Sequence, residues 1–510
     1  MNLAGLFQNT AERVPENVGL QFEERLYPYS ELNRLSNRLA NGLRDSGLKP
    51  GDACILMLPS CPEFVVAYYA LAKLGAVIVP VNFLFKEGEL SHIFRDSRAR
   101  GFIGMEPYLE EAEKAMKGSP HMNIRIASVL HARKGFMRWG DLFGDDAFVP
   151  YPSADDDILA VLYTSGTTGL PKGAMLPHHN LSSNARTVAD MRTTDPNDVV
   201  IGVLPLYHIF GQTSVLNASI YLGQTIHLFR HFDPGETIRV IEEETSTVLF
   251  AVPTMYNRLL LETERTGVER SSLRYCVSGG ASLPVEVLRR FEERFETRIY
   301  EGYGLTECSP VCIENPFGHQ TKPGSIGLPI PGFQARIVND DGKDVQQGQV
   351  GELIVHGPGV MKGYMNQPEE TAETVVAGWL HTGDMARMDE EGYLYIVDRK
   401  KDLIIRGGYN VYPREVEEVL FEHPDIVEAG VYGLPHGDLG EEVAADVVPK
   451  AGSDLTEEDI RRFVKERLAP YKYPRIVHLV DDLPKSHTGK VLKKVLRERW
   501  KDTVGASQRR

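Results

Sequence analysis

Short apolar runs of strand length alternate with helix-like segments through most of the chain. The runs 201–204, 247–251 and 275–278 are each ended by Gly, Pro or Ser, and the runs 53–58 and 76–79 flank a predicted helix at 63–73. Strands that alternate with helices are typical of a mainly parallel sheet covered by helices. The pattern therefore predicts an α/β fold.

The segment 30–47 illustrates how these helices are expected to begin and end. Ser30 is a predicted N-cap, apolar leucines recur at helical spacing from Leu32 to Leu43, and Gly47 is the predicted C-cap. A serine hydroxyl accepts from free N–H groups at a helix start, and glycine adopts the left-handed conformation that ends many helices. We therefore predict a helix between these two residues.

Two changes of pattern predict the domain organisation. Short runs at 334–338 and 352–356, joined across Asp341-Gly342, indicate a β-rich subdomain over about 324–398. The charged break at 398–402 is followed by a new set of strand-like and helix-like segments. We predict a large domain over 1–398, a hinge at 399–401 and a small α+β domain over 402–510.

Composition excludes several classes of function. The 510 residues carry a net charge of −15, whereas a general nucleic-acid binder needs a basic surplus. Five scattered cysteines suggest neither a disulfide framework nor a zinc site. The N-terminus lacks a signal-peptide core, and the most apolar stretch is interrupted by Lys73 and Gly75. We expect a cytoplasmic protein without an integral membrane segment; peripheral membrane contact and a homodimer stay open.

Residues 163–175 combine hydroxyls, glycines and a lysine directly after an apolar strand. Glycines let backbone N–H groups approach phosphate oxygens, hydroxyls add donors, and a lysine adds charge. The spacing differs from that of P-loop nucleotide hydrolases. The alternative is a flexible loop without a ligand. The residues in question are Thr164, Ser165, Gly166, Thr167, Thr168, Gly169 and Lys172.

Three further segments place glycines or a carboxylate near the ends of predicted strands, where ligands of open α/β sheets bind. They are 278–281, which contains Gly280 and Ala281; 301–307, which ends with Thr306-Glu307; and 379–384, which ends with Asp384. A carboxylate beside a triphosphate is reasonable when Mg²⁺ bridges the two. Taken singly, each segment also reads as an ordinary turn.

His208 and Lys490 are the remaining single-residue candidates. His208 lies among apolar residues, where a hydrogen-bonded core histidine is the usual finding. Lys490 follows a glycine in a polar loop, just before a predicted helix over 491–500. A cation at a helix N-terminus opposes the macrodipole at a cost of about 0.3–1 kcal/mol, so this lysine favours an external anion. The alternative is a surface lysine of a basic tail.

In sequence order these motifs resemble those of the adenylate-forming superfamily, which contains acyl-CoA synthetases, aryl-CoA ligases, peptide-synthetase adenylation domains and beetle luciferase. The resemblance extends from about residue 10 to 500. It implies ATP, Mg²⁺ and coenzyme A as cofactor and co-substrates. It also implies an acyl-adenylate intermediate and a small domain that rotates about Lys401 between two half-reactions.

The resemblance also assigns roles to individual residues. Lys490 would bridge the carboxylate and the α-phosphate, Glu307 would be the acid on the Mg²⁺ side, and Thr306 would contact phosphate. Asp384 and Arg399 would bind the ribose, and His208 would position the acyl substrate. Gly408 lies in the loop that would approach the pantetheine channel. The residues implied around the nucleotide are Gly280, Ala281, Glu301, Gly302, Tyr303, Gly304, Ile396 and Lys401.

The substrate implied by the closest motif likeness is a medium- or long-chain fatty acid, converted to its CoA thioester. The segments that carry this likeness are 204–210, 306–310, 323–328, 379–384 and 398–402. A ligase for aromatic acids of the coumarate type is the main alternative. An enzyme that loads a carrier-protein phosphopantetheine, a luciferase-like oxygenase and a non-enzymatic acyl or nucleotide binder are further alternatives.

Overall fold

A computed structural model describes residues 2–128, 133–165, 170–192, 195–243, 246–267, 270–319, 321–486 and 489–507. Its architecture is α/β, as predicted: two large sheets with mostly parallel strands, a smaller antiparallel sheet, and a compact C-terminal part with its own sheet. The residue boundaries proposed for the domains and the hinge stay a prediction.

Helices of the described residues are α1 (Leu3–Arg13), α2 (Tyr29–Asp45), α3 (Pro62–Leu74), α4 (Glu87–Asp96), α5 (Leu109–Met116), α6 (His178–Met191), α7 (Ala218–Leu222), α8 (Pro234–Glu243), α9 (Pro253–Thr266), α10 (Val285–Phe295), α11 (Pro368–Thr374), α12 (Pro413–Phe421), α13 (Glu457–Lys465) and α14 (Lys493–Ser507).

Strands of the same residues are β1 (Val18–Phe22), β2 (Arg25–Pro28), β3 (Ala53–Met57), β4 (Val77–Pro80), β5 (Gly101–Met105), β6 (Ile124–Ser128), β7 (Met137–Arg138), β8 (Ile158–Ser165), β9 (Pro171–Pro177), β10 (Val199–Gly202), β11 (Thr225–Leu228), β12 (Val248–Ala251), β13 (Tyr275–Ser278), β14 (Ile299–Gly304), β15 (Val311–Glu314), β16 (Leu328–Pro329), β17 (Gln334–Val338), β18 (Gly351–His356), β19 (Gly363–Tyr364), β20 (Val375–Val376), β21 (Trp379–Met388), β22 (Leu394–Arg399), β23 (Ile404–Arg406), β24 (Tyr409–Val411), β25 (Ile426–His436), β26 (Gly440–Pro449) and β27 (Ile476–Leu479).

The two large sheets account for the strand–helix alternation. One has the strand order β16-β15-β14-β13-β12-β10-β11-β1-β2, and the other β19-β9-β8-β4-β3-β5-β6-β7. In the order just given, pairing is parallel from β14 through β1 in the first sheet and from β8 through β7 in the second. Every residue of α3 except Glu63 is buried, as expected for a helix that is apolar on all sides.

The predicted β-rich subdomain is an antiparallel sheet of β17, β18, β20, β21 and β22. Its first two strands match the predicted runs, and Gly342 lies in the turn between them with a φ of +73°. The C-terminal part has a sheet of β23 to β27 covered by α12 and α13, with a separate apolar core. No helix of the described ranges is long and apolar enough to cross a bilayer.

Some predicted helix ends are wrong. α2 begins at Tyr29 with Pro28 at the N-cap, and no side chain caps it; Ser30 therefore lies inside the helix. The same helix ends at Asp45 with Ser46 as C-cap, so Gly47 follows the cap. The predicted serine cap fails because Pro28, two residues earlier, has the extended backbone of an N-cap, and the helix begins directly after it. The C-terminal helix begins at Lys493, two residues later than predicted.

The C-terminal helix is tied to the small sheet by one buried carboxylate. Asp446 Oδ1 accepts a hydrogen bond from Tyr432 Oη at 2.6 Å and lies 3.1 Å from His478 Nδ1; Oδ2 accepts from Trp500 Nε1 at 3.0 Å. Burial alone would raise the pKa of Asp446, but these partners outweigh it and hold that pKa below its usual value. The carboxylate is therefore charged at neutral pH.

We predict that Asp446→Ala destabilises the small domain by about 2–4 kcal/mol, because it leaves buried donors without an acceptor. Urea unfolding is followed by the fluorescence of Trp500 in a background with Trp139→Phe and Trp379→Phe, which removes the other two tryptophans. The exposed Asp438 is the matched control, and Asp438→Ala should change the midpoint little. Equal effects of the two substitutions would contradict the prediction.

Candidate active site

Two contiguous cavities lie where the small C-terminal part meets the large sheets. The larger encloses about 1250 Å³ and the smaller about 240 Å³. Both are lined by the glycine-rich end of β14, by Asp384 of β21 and by Lys490 of the C-terminal part. We call the two together the cleft. It lies at the carboxyl ends of β13 and β14, where ligands of open α/β sheets bind.

β8 and β9 form an antiparallel hairpin in which Thr164 pairs with Lys172. Both residues line the larger cavity. The Lys172 ammonium is buried, forms an ion pair with Glu370 of α11 and lies 5.5 Å from the centre of the Tyr364 ring. The hairpin tip, namely Gly166, Thr167, Thr168 and Gly169, lies outside the described residues, as does the side chain of Ser165.

Glu307 lies on a single helical turn, Thr306–Cys308, directly after β14. Its Oε1 accepts hydrogen bonds from Tyr364 Oη at 2.9 Å and from Thr164 Oγ1 at 3.3 Å. In the described part of the chain, no three His, Cys, Asp or Glu side chains cluster as a metal site. Mg²⁺ is usually held by one or two carboxylates together with substrate phosphates and water. Glu307 beside the phosphate loop fits a magnesium ion that enters with a nucleotide.

Residues 302–304, which resemble a turn in sequence, continue strand β14. The backbone passes so close to its neighbour that a Cβ at Gly304 would lie 2.1 Å from the Pro310 carbonyl oxygen. Tyr303 Oη donates to Asp384 Oδ2 at 2.6 Å, and Arg399 Nε lies 3.4 Å from Asp384 Oδ1. An ionised carboxylate held in this way can accept hydrogen bonds from a pair of vicinal hydroxyls.

The smaller cavity contains the residues predicted to contact the base. Gly280, Ala281 and Ile396 line it, together with Glu301. Gly280 has a φ of +80°, which favours glycine. Burial raises the pKa of Glu301 to about 7, although the Arg414 guanidinium acts in the opposite direction. Glu301 Oε1 accepts from the backbone N–H of Leu283 at 3.1 Å.

Lys490 reaches the cleft from the C-terminal part of the chain. Its backbone N–H donates to Ser486 Oγ at 3.1 Å, and a bridge between Lys485 and Val491 closes the loop around it. Burial, together with the positive charge of Arg399, lowers the pKa of the Lys490 ammonium to about 8. The ammonium is therefore desolvated, and the negative charges of Asp384 and Asp402 offset this only in part. This environment favours binding of an anionic ligand.

His208 lines the larger cavity and stays neutral at pH 7. Burial lowers the pKa of its imidazole to about 4. Its Nδ1 accepts from the backbone N–H of Phe210 at 3.3 Å, so Nε2 carries the proton. A neutral imidazole in this place can donate one hydrogen bond to a carboxylate but is a weak base, consistent with the predicted positioning role.

The remaining two predicted residues differ in their placement. Lys401 lines the larger cavity, and burial together with the charge of Arg399 lowers the pKa of its ammonium. Gly408 lines neither cavity; it lies between β23 and β24 with a φ of +83°. In this arrangement of the chain, the predicted CoA-side loop therefore lies apart from the cleft.

Two residues of the cleft escaped the sequence analysis. Tyr364 donates to Glu307, and Glu370 pairs with Lys172. Both lie about sixty residues beyond Glu307 in a segment without a motif of recognised spacing. Only the pairing of β19 with β9 brings Tyr364 beside the phosphate loop. No local pattern in the sequence marks this pairing, because it depends on how two distant strands align in the folded chain.

Comparison with known proteins identifies the family. The model of the AMP-binding enzyme family matches residues 7–365, and that of the AMP-binding enzyme C-terminal domain matches residues 415–490. The chain belongs to the AMP-binding enzyme family. The first match contains Glu307 and the second contains Lys490, whereas Asp384 and Arg399 lie between the two matched ranges.

Three relatives illustrate the range of this family. A long-chain-fatty-acid–CoA ligase of Bacillus subtilis is 37% identical over 97% of this chain and 94% of its own. A feruloyl-CoA synthase of an Amycolatopsis species is 36% identical over 92% and 94%. ATP-bound MatB of Rhodopseudomonas palustris superposes with a TM-score of 0.89 at 34% identity, covering 99% of this chain and all of that one. These relationships support AMP-forming acid–CoA ligation as the general activity.

The depressed pKa of Lys490 predicts an alkaline limit on adenylation. Because the protonated ammonium neutralises phosphate charge, kcat/KM for ATP should fall about tenfold for each pH unit above about 8. The rate is measured as acid-dependent pyrophosphate release without CoA. Lys490→Arg keeps the charge at all these pH values and should show a lower rate without this limb. If kcat/KM of Lys490→Arg shows the same decrease above pH 8, the decrease arises from another group.

Proposed function

We propose that the protein activates a medium- or long-chain fatty acid as its acyl-adenylate and then transfers the acyl group to coenzyme A. The observation that carries this proposal is the convergence of Lys490, Glu307 and Asp384 on one cleft that continues along an apolar wall. A cation, a metal-side carboxylate and a hydroxyl acceptor are what a magnesium nucleotide requires.

In the first half-reaction, a carboxylate oxygen of the fatty acid attacks the α-phosphorus of ATP. The new C–O–P linkage forms as the bond between that phosphorus and the pyrophosphate oxygen breaks, and pyrophosphate leaves with the electron pair. Negative charge that develops at the α-phosphate would be stabilised by Lys490 and by Thr306, which line the same cavity. Magnesium held by Glu307 would supply additional charge on the phosphates. No protein nucleophile is needed.

The fixed residues around the nucleotide serve orientation. Asp384, held by Tyr303 and Arg399, would accept the ribose hydroxyls, and the backbone of Gly280 and Ala281 would lie against the base. His208 would donate from Nε2 to the carboxylate of the acid. These contacts restrict the motion of both substrates when they bind, and so hold the attacking oxygen in line with the phosphorus.

In the second half-reaction, the thiol sulfur of CoA attacks the acyl carbonyl carbon and the C–S bond forms. The bond between that carbon and the phosphate oxygen breaks, AMP leaves with the electron pair, and the thiol proton is released to solvent. Lys490 occupies the cleft in the present arrangement, so the small domain would have to move for the thiol to approach. Lys401 lies at the junction where such a rotation would occur, and the loop containing Gly408 would replace Lys490. The predicted cytoplasmic location and a homodimer remain part of this proposal.

The walls of the larger cavity favour an alkyl substrate. Ile209, Phe210, Val277, Pro310 and Val311 line it beyond the nucleotide residues. Apolar surface gains about 25 cal/mol per Å² when it leaves water, so an aliphatic chain would be stabilised along this wall. An aromatic acid is the second candidate, since the feruloyl-CoA synthase relative is nearly as similar as the fatty acid ligase. Transfer to a carrier protein is a third.

We predict that Lys490→Ala lowers the rate of adenylation by about 100-fold or more, because a charge that stabilises the transition state is lost. Transfer to CoA from supplied acyl-AMP should change by less than about threefold, since Lys490 is absent from that step. The exposed Lys465 of the same domain gives the control variant Lys465→Ala, which should preserve both rates. Equal losses in the two half-reactions would contradict the assigned role.

A panel of acids tests the substrate class. Straight-chain acids from four to eighteen carbons are compared with benzoate, coumarate and ferulate by pyrophosphate release, each with and without CoA. We expect at least about tenfold higher kcat/KM for the best alkanoate than for any aromatic acid. Turnover of aromatic acids alone would refute the fatty acid assignment. If CoA does not accelerate pyrophosphate release, CoA is not the acyl acceptor.

A further inference from the structure

A fully buried ion pair lies behind the acyl wall of the cleft. Arg192 Nε and Nη2 donate to the two carboxylate oxygens of Glu314 at 2.9 and 2.8 Å, and both side chains are 1% exposed. The Arg192 guanidinium also lies 4.9 Å from the centre of the Phe250 ring. This pair belongs to none of the nucleotide contacts described above.

The register of the first large sheet locates the pair relative to the nucleotide site. Glu314 of β15 is opposite Gly302 of β14, and Gly302 precedes Gly304 by two residues on that strand. Phe250, which contacts Arg192, is opposite Val277 of β13. Val277 and Glu314 both line the larger cavity. Glu314, although only 1% exposed, therefore belongs to the lining of the larger cavity, and its carboxylate is held there by Arg192.

Close backbone contacts make this inner end narrow. A Cβ on Gly302 would lie 3.2 Å from Glu314 Oε2, and a Cβ on Gly279 would lie 3.3 Å from the Phe210 ring. Ser278 Oγ, which is buried at the end of β13, has no hydrogen-bond partner among the residues that the structure describes. The wall thus changes from apolar residues to a carboxylate and a hydroxyl over a short distance.

We propose that the Arg192–Glu314 pair closes the acyl pocket and sets the maximum length of the substrate. This inference rests on the proposed function. An alkyl terminus cannot replace a charge-assisted hydrogen bond, and separation of the pair would leave a buried charge uncompensated. A chain that ends before Glu314 is accommodated along the apolar wall, whereas the next methylene meets the carboxylate. The pocket thus selects medium over long chains.

The wild-type protein offers the first test. The shortest rejected alkanoate is compared with the acid in which a terminal hydroxyl replaces its last methyl group, a change of similar volume. A carboxylate that already accepts two hydrogen bonds from Arg192 retains lone pairs for a third. We expect kcat/KM for the hydroxy acid to be about tenfold higher or more, because its hydroxyl can donate a hydrogen bond to the Glu314 carboxylate. A preference for the methyl group would overturn the proposal.

Variants give the second test. Arg192→Met/Glu314→Leu replaces the pair by apolar groups, a change that buried ion pairs often tolerate. We expect the longest accepted alkanoate to gain two or more carbons, with about tenfold higher kcat/KM for the first acid that the wild type rejects. Arg192→Lys preserves an ion pair and should keep the wild-type limit. An unchanged limit in a folded double variant would overturn the proposal.

The two proposals fail in distinguishable ways. If every alkanoate is rejected while aromatic acids react, the fatty acid assignment fails. The same comparison then uses para-methyl and para-hydroxy aromatic acids, and a preference for the hydroxyl that disappears in Arg192→Met/Glu314→Leu still supports closure by the pair. Equal turnover of both aromatic acids would contradict it. Calorimetric titration with acyl-sulfamoyl adenosines of increasing length checks the same limit without turnover.

Discussion

An anionic protein has to bind a polyanion in this cleft, and its local charge arrangement makes that feasible. The chain carries a net charge of −15. Within the described residues, cations and carboxylates line the larger cavity in equal number, eight of each. Lys490 and Lys172 both line this cavity. Asp384 accepts from the Tyr303 hydroxyl and lies beside Arg399, and Glu307 accepts from the Tyr364 hydroxyl. The charge balance around the expected nucleotide position therefore differs from the negative net charge of the whole chain.

The position of Lys490 depends on a polar contact between the two parts of the chain. Asn257 Nδ2 donates to the Val427 carbonyl at 2.8 Å, the backbone N–H of Val285 donates to Glu418 at 3.2 Å, and Lys450 pairs with Glu264 at 2.6 Å. Interfaces of this kind are more polar than a core and separate at moderate cost. Contacts of this kind are compatible with the proposed rotation, in which Lys490 would leave the cleft between the two half-reactions.

Sequence reasoning succeeded where chemistry is local. The parallel α/β fold, the β-rich part and the separate C-terminal part follow from periodicity, and the motifs that meet in the cleft were each visible as short patterns. It failed where a neighbour decides the outcome. Proline displaced the predicted Ser30 cap, and β14 continued through its glycines because β15 pairs with it. Tyr364, Glu370 and the Arg192–Glu314 pair required the tertiary register, since no spacing along the chain relates their partners.

In the proposed mechanism, segments more than three hundred residues apart bind one magnesium nucleotide. A crystal structure with Mg²⁺ and α,β-methylene-ATP, which resists attack at the α-phosphorus, would show whether they do. We expect one nucleotide, with the ribose hydroxyls on Asp384, the metal ion on Glu307 and the Lys490 ammonium at the α-phosphate. A nucleotide bound outside the cleft, or one whose ribose and phosphates contact none of these three residues, would contradict it.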